Sequence, residues 1–335
     1  MRFILSLILT LVMLAVAAAG GVLWWLDQPI GLRPGVAAEP APEFSIEPGS
    51  SARTAARRIE AAGANVPALA LHAWFRLSGR AQAIQAGTYA LSPGLTPRTL
   101  LDRLVRGEQA LRSITLVEGW TFRDVLAALQ ASPHLSQDLK DLTPAQIMER
   151  IGQPGVHPEG RFFPDTYRVA RNTPVSTVLK QAAQAMQRRL EQAWEQRHPG
   201  SPLKSPHDAL ILASIIEKET GASADRGMIS GVFSNRLRIG MRLQTDPSVI
   251  YGLGTSFDGN LRKIHLQTDG PYNTYMRAGL PPTPIAMPGW ASLLAAVQPA
   301  QTRALYFVAR GDGSSHFSET LDEHNEAVRR YILRR

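Results

Sequence analysis

At 335 residues with a formal net charge of +8 and a pI of about 10.1, the chain can bury more than one core, at roughly 100 to 200 residues per domain. Its basic balance favours an anionic polymer or a membrane surface as partner without saying which. No cysteine is present, which excludes a disulfide framework, a thiolate nucleophile and a cysteine metal site and leaves the redox compartment unreadable; the eight histidines are scattered with none at the i, i+4 spacing of a helical zinc site, so neither metal nor cofactor is expected.

Residues 3–26 run without a charge, and about 24 residues at 1.5 Å each span a hydrocarbon core of roughly 30 Å. Trp24 and Trp25 close the run where an aromatic belt belongs, and Asp27, Gln28 and Pro29 end it. The segment predicts a single-pass transmembrane anchor, residues 1–26, with the bulk of the chain outside the cytoplasm because Arg2 precedes the span and Asp27 follows it. The competing reading is a cleaved signal peptide, since Ala17-Ala18-Ala19 resembles a small-residue cleavage site.

Residues 27–43, rich in Pro, Gly and Ala and without periodicity, read as a linker. A strand and turn at Phe44-Ser-Ile-Glu-Pro-Gly-Ser then lead into a helix over 52–63, with Ala55, Ala56, Ile59 and Ala62 on one face and Gly63 as its stop. Comparable strand-turn-helix units recur at Gly87-Thr-Tyr-Ala-Leu-Ser-Pro-Gly before 99–107, and at Ile114-Thr-Leu-Val-Glu-Gly-Trp before 124–129. Their irregular spacing and small number argue for a small α+β lobe, residues 44–110, and a connecting α+β segment, 111–154, against a solenoid. The first unit resembles a LysM module, a small peptidoglycan-binding fold, through its Ile-Glu-Pro-Gly-Ser turn and Ala-rich helix; a generic strand-turn-helix fits the same residues.

A larger α+β region is expected over 155–335. Near its start Phe162, Phe163 and Tyr167 crowd a proline and two acids, which suits a core plug, although sugar-binding clefts also use aromatic faces. Residues 175–197 follow as a helix with a solvated basic and Gln-rich face. The run from Leu210 to Thr220 reads as a helix that sets Glu219 on the face of Leu212, Ile215 and Ile216. A carboxyl held against apolar surface resists ionisation and keeps the proton a general acid needs. Glu217 faces Leu210, Ala213 and Ser214, a smaller and wetter face, so Glu219 is preferred; the alternative is a helix end with Glu219 in solvent.

Boxes rich in amide, hydroxyl and aromatic groups on Pro and Gly turns come next: Leu243-Gln-Thr-Asp-Pro-Ser-Val-Ile-Tyr-Gly, Gly270-Pro-Tyr-Asn-Thr-Tyr, Gly279-Leu-Pro-Pro-Thr-Pro, Leu305-Tyr-Phe-Val-Ala-Arg-Gly-Asp-Gly and His316-Phe-Ser. Loops of this kind on a rigid scaffold commonly carry binding groups. Gln244, Asp246, Tyr272, Asn273 and Thr274 are candidates to hold a ligand, or else to satisfy their own loop backbone. Tyr251 and Tyr275 fit core better than stacking, and His316 and Ser318 are candidates to line a cleft.

In this order, after Glu217-Lys-Glu-Thr220, and through to Glu323-His-Asn-Glu-Ala-Val, the boxes resemble the endolytic murein transglycosylases, the YceG-like or MltG family. The resemblance implies an inner-membrane enzyme with a periplasmic catalytic domain that cuts nascent peptidoglycan strands internally and leaves 1,6-anhydro-muramoyl ends, without cofactor. It places the catalytic acid/base on Glu219, with Thr220 matching the hydroxyl residue of the Glu-Ser pair in other lytic transglycosylases. It also implies the glycan-synthesising and division machinery as partners. Thr283 before Pro284 departs from the small residue expected there. A non-catalytic wall-binding module and a hydrolytic muramidase are the alternatives. Nucleic acid is disfavoured by expected export and by the lack of a concentrated Lys/Arg stripe.

Overall fold

The computed structural model describes residues 2–37 and 39–333. They form two compact units, one from the residues up to Arg112 with Arg168–Asn172, the other from Ser113–Tyr167 with the described residues from Thr173 onward. The fold is α+β: long helices carry the cores, and among the described residues the strands form four two-stranded sheets.

The first unit opens with helix α1, Arg2–Leu26. Its Ser6–Leu26 stretch, of mean hydropathy 2.4, is long and apolar enough to cross a membrane by length and composition. Its last turn differs from the rest. Leu26 is only 1% exposed and Trp25 packs against the core of this unit. Part of the stretch read as a linker is also fixed here: Ile30 N–H donates to the Leu95 carbonyl at 2.6 Å, and Leu32 bridges Ala64. Pro- and Gly-rich composition conceals these apolar contacts.

Strand β1, Glu43–Ile46, pairs antiparallel with β2, Gly87–Ala90, with Phe44 opposite Tyr89. Phe44, Ile46 and Tyr89 are buried, and the two rings stack at 5.8 Å. Onto them fold α2 (Ala52–Ala61), α3 (Ala68–Leu77) and α4 (Pro97–Arg106), whose Ala55, Ala56, Ile59, Leu71, Phe75, Leu100, Leu101 and Leu104 close the core. Each boundary has a local cause. Ser51 accepts from Thr54 N–H at the start of α2, and Thr96 and Thr99 cap α4 reciprocally. Gly107 ends α4 at φ 67°, a left-handed turn that suits glycine.

The second unit carries β3 (Leu111–Thr115, which starts two residues earlier, in the first unit), α5 (Phe122–Ala131), β4 (Leu135–Ser136), α6 (Pro144–Arg150) and β6 (Thr173–Pro174), whereas of β5 (Thr166–Ala170) it holds Thr166 and Tyr167 and the first unit holds the rest. Helices α7 (Val175–Glu195), α8 (Pro206–Glu219), α9 (Arg226–Arg238), α10 (Asp246–Leu253), α11 (Lys263–Gln267) and α12 (Trp290–Val297) follow. The chain finishes with the hairpin β7 (Tyr306–Ala309) and β8 (Ser315–Ser318) and with α13 (Leu321–Tyr331). Helix α8 is the centre of this unit, packed by α7, α9, α10 and α12. All its residues from Ala209 to Ile216 are buried, so it is apolar on every side and not along a single stripe. Phe162 and Phe163 are also buried, as a core plug requires.

Candidate active site

Glu219 is the last residue of α8. A helix ending in the core delivers its terminal side chain at a fixed place, and the negative end of its dipole disfavours a charge there. The Glu219 carboxyl is pushed up to about 7, first by loss of solvent and further by the charge of Asp246, against a lowering hydrogen bond from Thr245. Thr245 Oγ1 donates to Glu219 Oε1 at 2.5 Å. That bond occupies one carboxyl oxygen and leaves Oε2 as the position for the proton. Glu217 points elsewhere and accepts from Gly289 N–H at 2.9 Å. The contrast of faces that separated the two in the sequence is absent, because Leu210, Ala213 and Ser214 are as buried as Leu212, Ile215 and Ile216; hydrogen bonding and surroundings separate them instead.

Glu219 lines a cavity of about 450 Å3 with Arg236, Gln244, Asp246, Tyr275, Tyr306, Phe307, His324 and Asn325. Of the residues singled out in the sequence as ligand-holding, Gln244 and Asp246 therefore join Glu219, and Tyr275, read there as core, lines the cavity as well. Asp246 Oδ1 accepts from the Tyr275 hydroxyl at 2.5 Å, and burial raises the Tyr275 phenol so that it keeps the proton it donates. Asn273 and Thr274 stand behind the cavity wall. The Asn273 amide donates to the carbonyls of His265, Leu266 and Thr268 at 3.1, 3.1 and 2.6 Å, and Thr274 Oγ1 accepts from Thr245 N–H at 3.0 Å and contacts Ser248 Oγ at 2.9 Å. Both are nearly inaccessible; Thr274 holds the turn that presents Thr245, and Asn273 ties its own loop to the end of the helix over Lys263–Gln267.

Tyr272, His316 and Ser318 do not line this cavity. The Tyr272 hydroxyl pairs with Thr283 Oγ1 at 2.8 Å, which gives Thr283 a structural partner, and the Tyr272 ring meets Tyr251 edge-on at 4.9 Å. His316 packs on Tyr331 at 5.5 Å, and Ser318 is buried. Thr220 Oγ1 donates back to the Ile216 carbonyl at 2.6 Å, so its hydroxyl serves the helix end.

Sequence reasoning missed Arg236, Tyr306, Phe307, His324 and Asn325 as lining residues. Four of them lie inside boxes already singled out, Leu305-Tyr-Phe and Glu323-His-Asn, whereas nothing in the α9 sequence marks Arg236. His324 stacks on Tyr306 at 5.2 Å, and burial, with the charge of Arg236, holds its imidazole below the ordinary range, that is, neutral.

A second raised acid was also missed. Glu159, 4% exposed, is pushed up to about 7 by burial although Phe122 N–H and the Tyr251 hydroxyl donate to its two oxygens at 2.9 and 3.1 Å. Phe122 is the first residue of α5, so Glu159 satisfies a free N–H of that helix end. Both oxygens are engaged, and its position is that of a cap. Among the described residues no group of three or more His, Asp or Glu could hold a metal ion.

A family model described as the YceG-like family matches residues 44–330. The chain is 35% identical over 272 residues to a Bacillus subtilis protein named endolytic murein transglycosylase, covering 75% of this chain and 74% of that one. A Streptococcus pneumoniae protein of the same name is 25% identical over 74% of this chain, and the chain spans only about half, 51%, of its length. A crystal structure described as a yceG-like protein from Listeria monocytogenes matches with a TM-score of 0.52 at 28% identity, over 85% of this chain and 98% of that one. With most of its length matched by one family model, and its Glu219 helix and following boxes inside that match, the chain belongs to the YceG-like family.

Proposed function

We propose that this protein is a membrane-anchored lytic transglycosylase that cleaves the bond between N-acetylmuramic acid and N-acetylglucosamine within peptidoglycan strands. The observation that carries the reading is the Glu219 carboxyl, held up to about 7 at the wall of a cavity with one oxygen occupied by Thr245. Protonated Glu219 donates to the glycosidic oxygen as positive charge develops on the anomeric carbon. The carboxylate so formed takes the proton from the muramoyl C6 hydroxyl, whose oxygen closes onto C1 and gives a 1,6-anhydro end. Tethering of the nucleophile to the substrate is why one carboxyl serves both steps. Thr245 stabilises the intermediate carboxylate, so the proton is not bound too tightly between the steps. The names of the relatives support peptidoglycan as substrate. Helix α1 supports a single-pass anchor, which would place the rest of the chain in the periplasm, and the β1-α2-β2 unit supports a lobe of LysM-like role that holds glycan.

Asp246 in the same cavity favours hydrolysis as a second reading, because glycosidases that deliver water use two carboxylates. The hydrogen bond that Tyr275 donates to Asp246 Oδ1 instead ties that carboxyl to the cavity wall, as a structural acceptor. Mass spectrometry of glycan digested by the full chain separates the readings: anhydro ends are expected, and ends carrying an added water would establish hydrolysis. Glu219→Gln should reduce product formation by about 100-fold or more, on the scale of a lost general acid, with circular dichroism unchanged. Retained cleavage by Glu219→Gln, with loss in Glu217→Gln, would move the assignment to Glu217.

A further inference from the structure

Arg236 is 7% exposed and no carboxylate among the described residues pairs with it. Its guanidinium donates instead to neutral oxygens: Nε to the Leu305 carbonyl at 2.6 Å, and Nη1 to the Arg242 and Leu243 carbonyls at 3.1 and 2.9 Å and to Gln244 Oε1 at 3.2 Å. The Tyr306 ring lies beneath it at 5.1 Å. The last of those hydrogen bonds has a chemical consequence. A guanidinium only donates, so the amide oxygen of Gln244 must face Arg236 and the NH2 must face away. Gln244 itself is exposed, at φ 51°, a left-handed backbone uncommon for a residue other than glycine, and its N–H donates to the Thr274 carbonyl at 3.1 Å. Fixed backbone and fixed oxygen together give this side chain one orientation, on the wall of the cavity that holds Glu219.

Resting on the glycan-cleaving reading of that cavity, we propose that Arg236 is a positioning residue that turns the NH2 edge of Gln244 toward substrate, and that this edge selects N-acetylated sugar by donating to the acetamido carbonyl. An N-deacetylated sugar carries an ammonium group at the same position. It offers no acceptor, and it would set a positive charge against two N–H donors and a buried guanidinium. A site built to bond a substrate group discriminates strongly against the analogue that lacks it, because its own polar atoms are left unpaired.

The test uses the full-length chain in detergent and glycan strands stripped of stem peptides, before and after N-deacetylation. Binding is measured with Glu219→Gln, so that it does not depend on turnover, and cleavage with the otherwise unaltered chain. Binding of the acetylated strands about tenfold tighter is expected, with the preference in cleavage carried by KM. Adding Gln244→Glu replaces the donor edge by an acceptor that Arg236 can pair with, and the preference should fall to about twofold or less. Arg236→Met should narrow it with Gln244 intact, an effect that simple loss of stability would not produce; should that variant fail to fold, the exposed Gln244→Glu still decides. Equal binding of both strands, binding of neither, or an undiminished preference in Gln244→Glu overturns the inference. Failure of the catalytic reading looks different: neither strand is cut while the binding preference remains.

Discussion

Two carboxyl groups, Glu219 and Glu159, are held near neutrality by the same cause, removal from water, but differ in what their oxygens do. Both line cavities, but Glu219 has only one oxygen bonded, to Thr245, so its proton is available to a ligand, whereas Glu159 has both oxygens engaged. In the proposed role of general acid it is active in the protonated form, and activity should fall as pH rises through about 7, the value to which its pKa is raised. A pH–rate profile whose basic limb is unmoved in Thr245→Val would contradict this, since loss of the lowering hydrogen bond should shift that limb upward. Glu159 affects stability instead. Its folded pKa lies above the ordinary 4.5, so its stabilisation is fully present below about 4.5 and is lost as pH rises through about 7. The loss above that range is on the order of 3 kcal/mol. Glu159→Gln keeps an acceptor for Phe122 N–H and should raise the melting temperature at about pH 9 more than at about pH 5, as calorimetry would measure. The burial of the helix leading to Glu219 was legible in the sequence because its apolar residues are contiguous, but they are buried on every side and so do not separate Glu219 from Glu217. Glu159 was not legible, because its burial arises from Phe122 and Tyr251, respectively 37 and 92 residues away.

The boundaries of α2 and α4 were readable to within a few residues because their causes are local, with Ser51 and Thr96 as caps, Pro97 at the first turn of α4 and Gly107 past its end. By contrast α3, which follows Pro67 without a side-chain cap, was not read from the sequence. The amphipathic pattern of α2 likewise resolves into buried Ala55, Ala56 and Ile59. Helix α8 misleads for the opposite reason. Periodicity assumes a wet side, and α8 has none between Ala209 and Ile216, so its polar residue in that run, Ser214, has a structural task. Ser214 Oγ donates to the Ile211 carbonyl at 2.7 Å and accepts from Ile285 N–H at 3.0 Å, which ties the Pro-rich loop before α12 to the helix that ends in Glu219. Ser214→Ala leaves that buried N–H unsatisfied and should cost about 1–3 kcal/mol, read as a lowered denaturant midpoint with unchanged slope. An unchanged midpoint would mean that the loop finds another acceptor.

At the scale of the whole molecule, the segment Arg168–Asn172 belongs to the first unit although the chain on either side of it belongs to the second. A linear division of the sequence cannot anticipate such a return, because nothing in the composition of five residues records which core they join. The start of the first unit was concealed in a different way. The apolar run from Phe3 onward reads as continuous, yet its last residues have a different environment: Trp24 is 67% exposed, whereas Leu26 is 1% exposed and Trp25 packs with Ile30 and Leu32 on the core. The end of α1 is thus part of the first unit, joined also by the Asp27–Arg98 ion pair at 2.8 Å. Removal of the apolar helix should therefore leave a more stable protein when the chain begins at Trp25 than when it begins at Ile30. Deleting a buried Leu typically costs about 2–5 kcal/mol, whereas the exposed ion pair is screened by solvent and contributes little. Thermal melts of the two shortened chains measure the difference, and Leu26→Ala in the longer one separates the apolar contribution from the ionic one. If both chains melt together and Leu26→Ala changes nothing, the end of α1 is only a connection to the helix. A higher melting temperature for the longer chain would mean that the last turn of the apolar helix folds as part of the lobe that follows it.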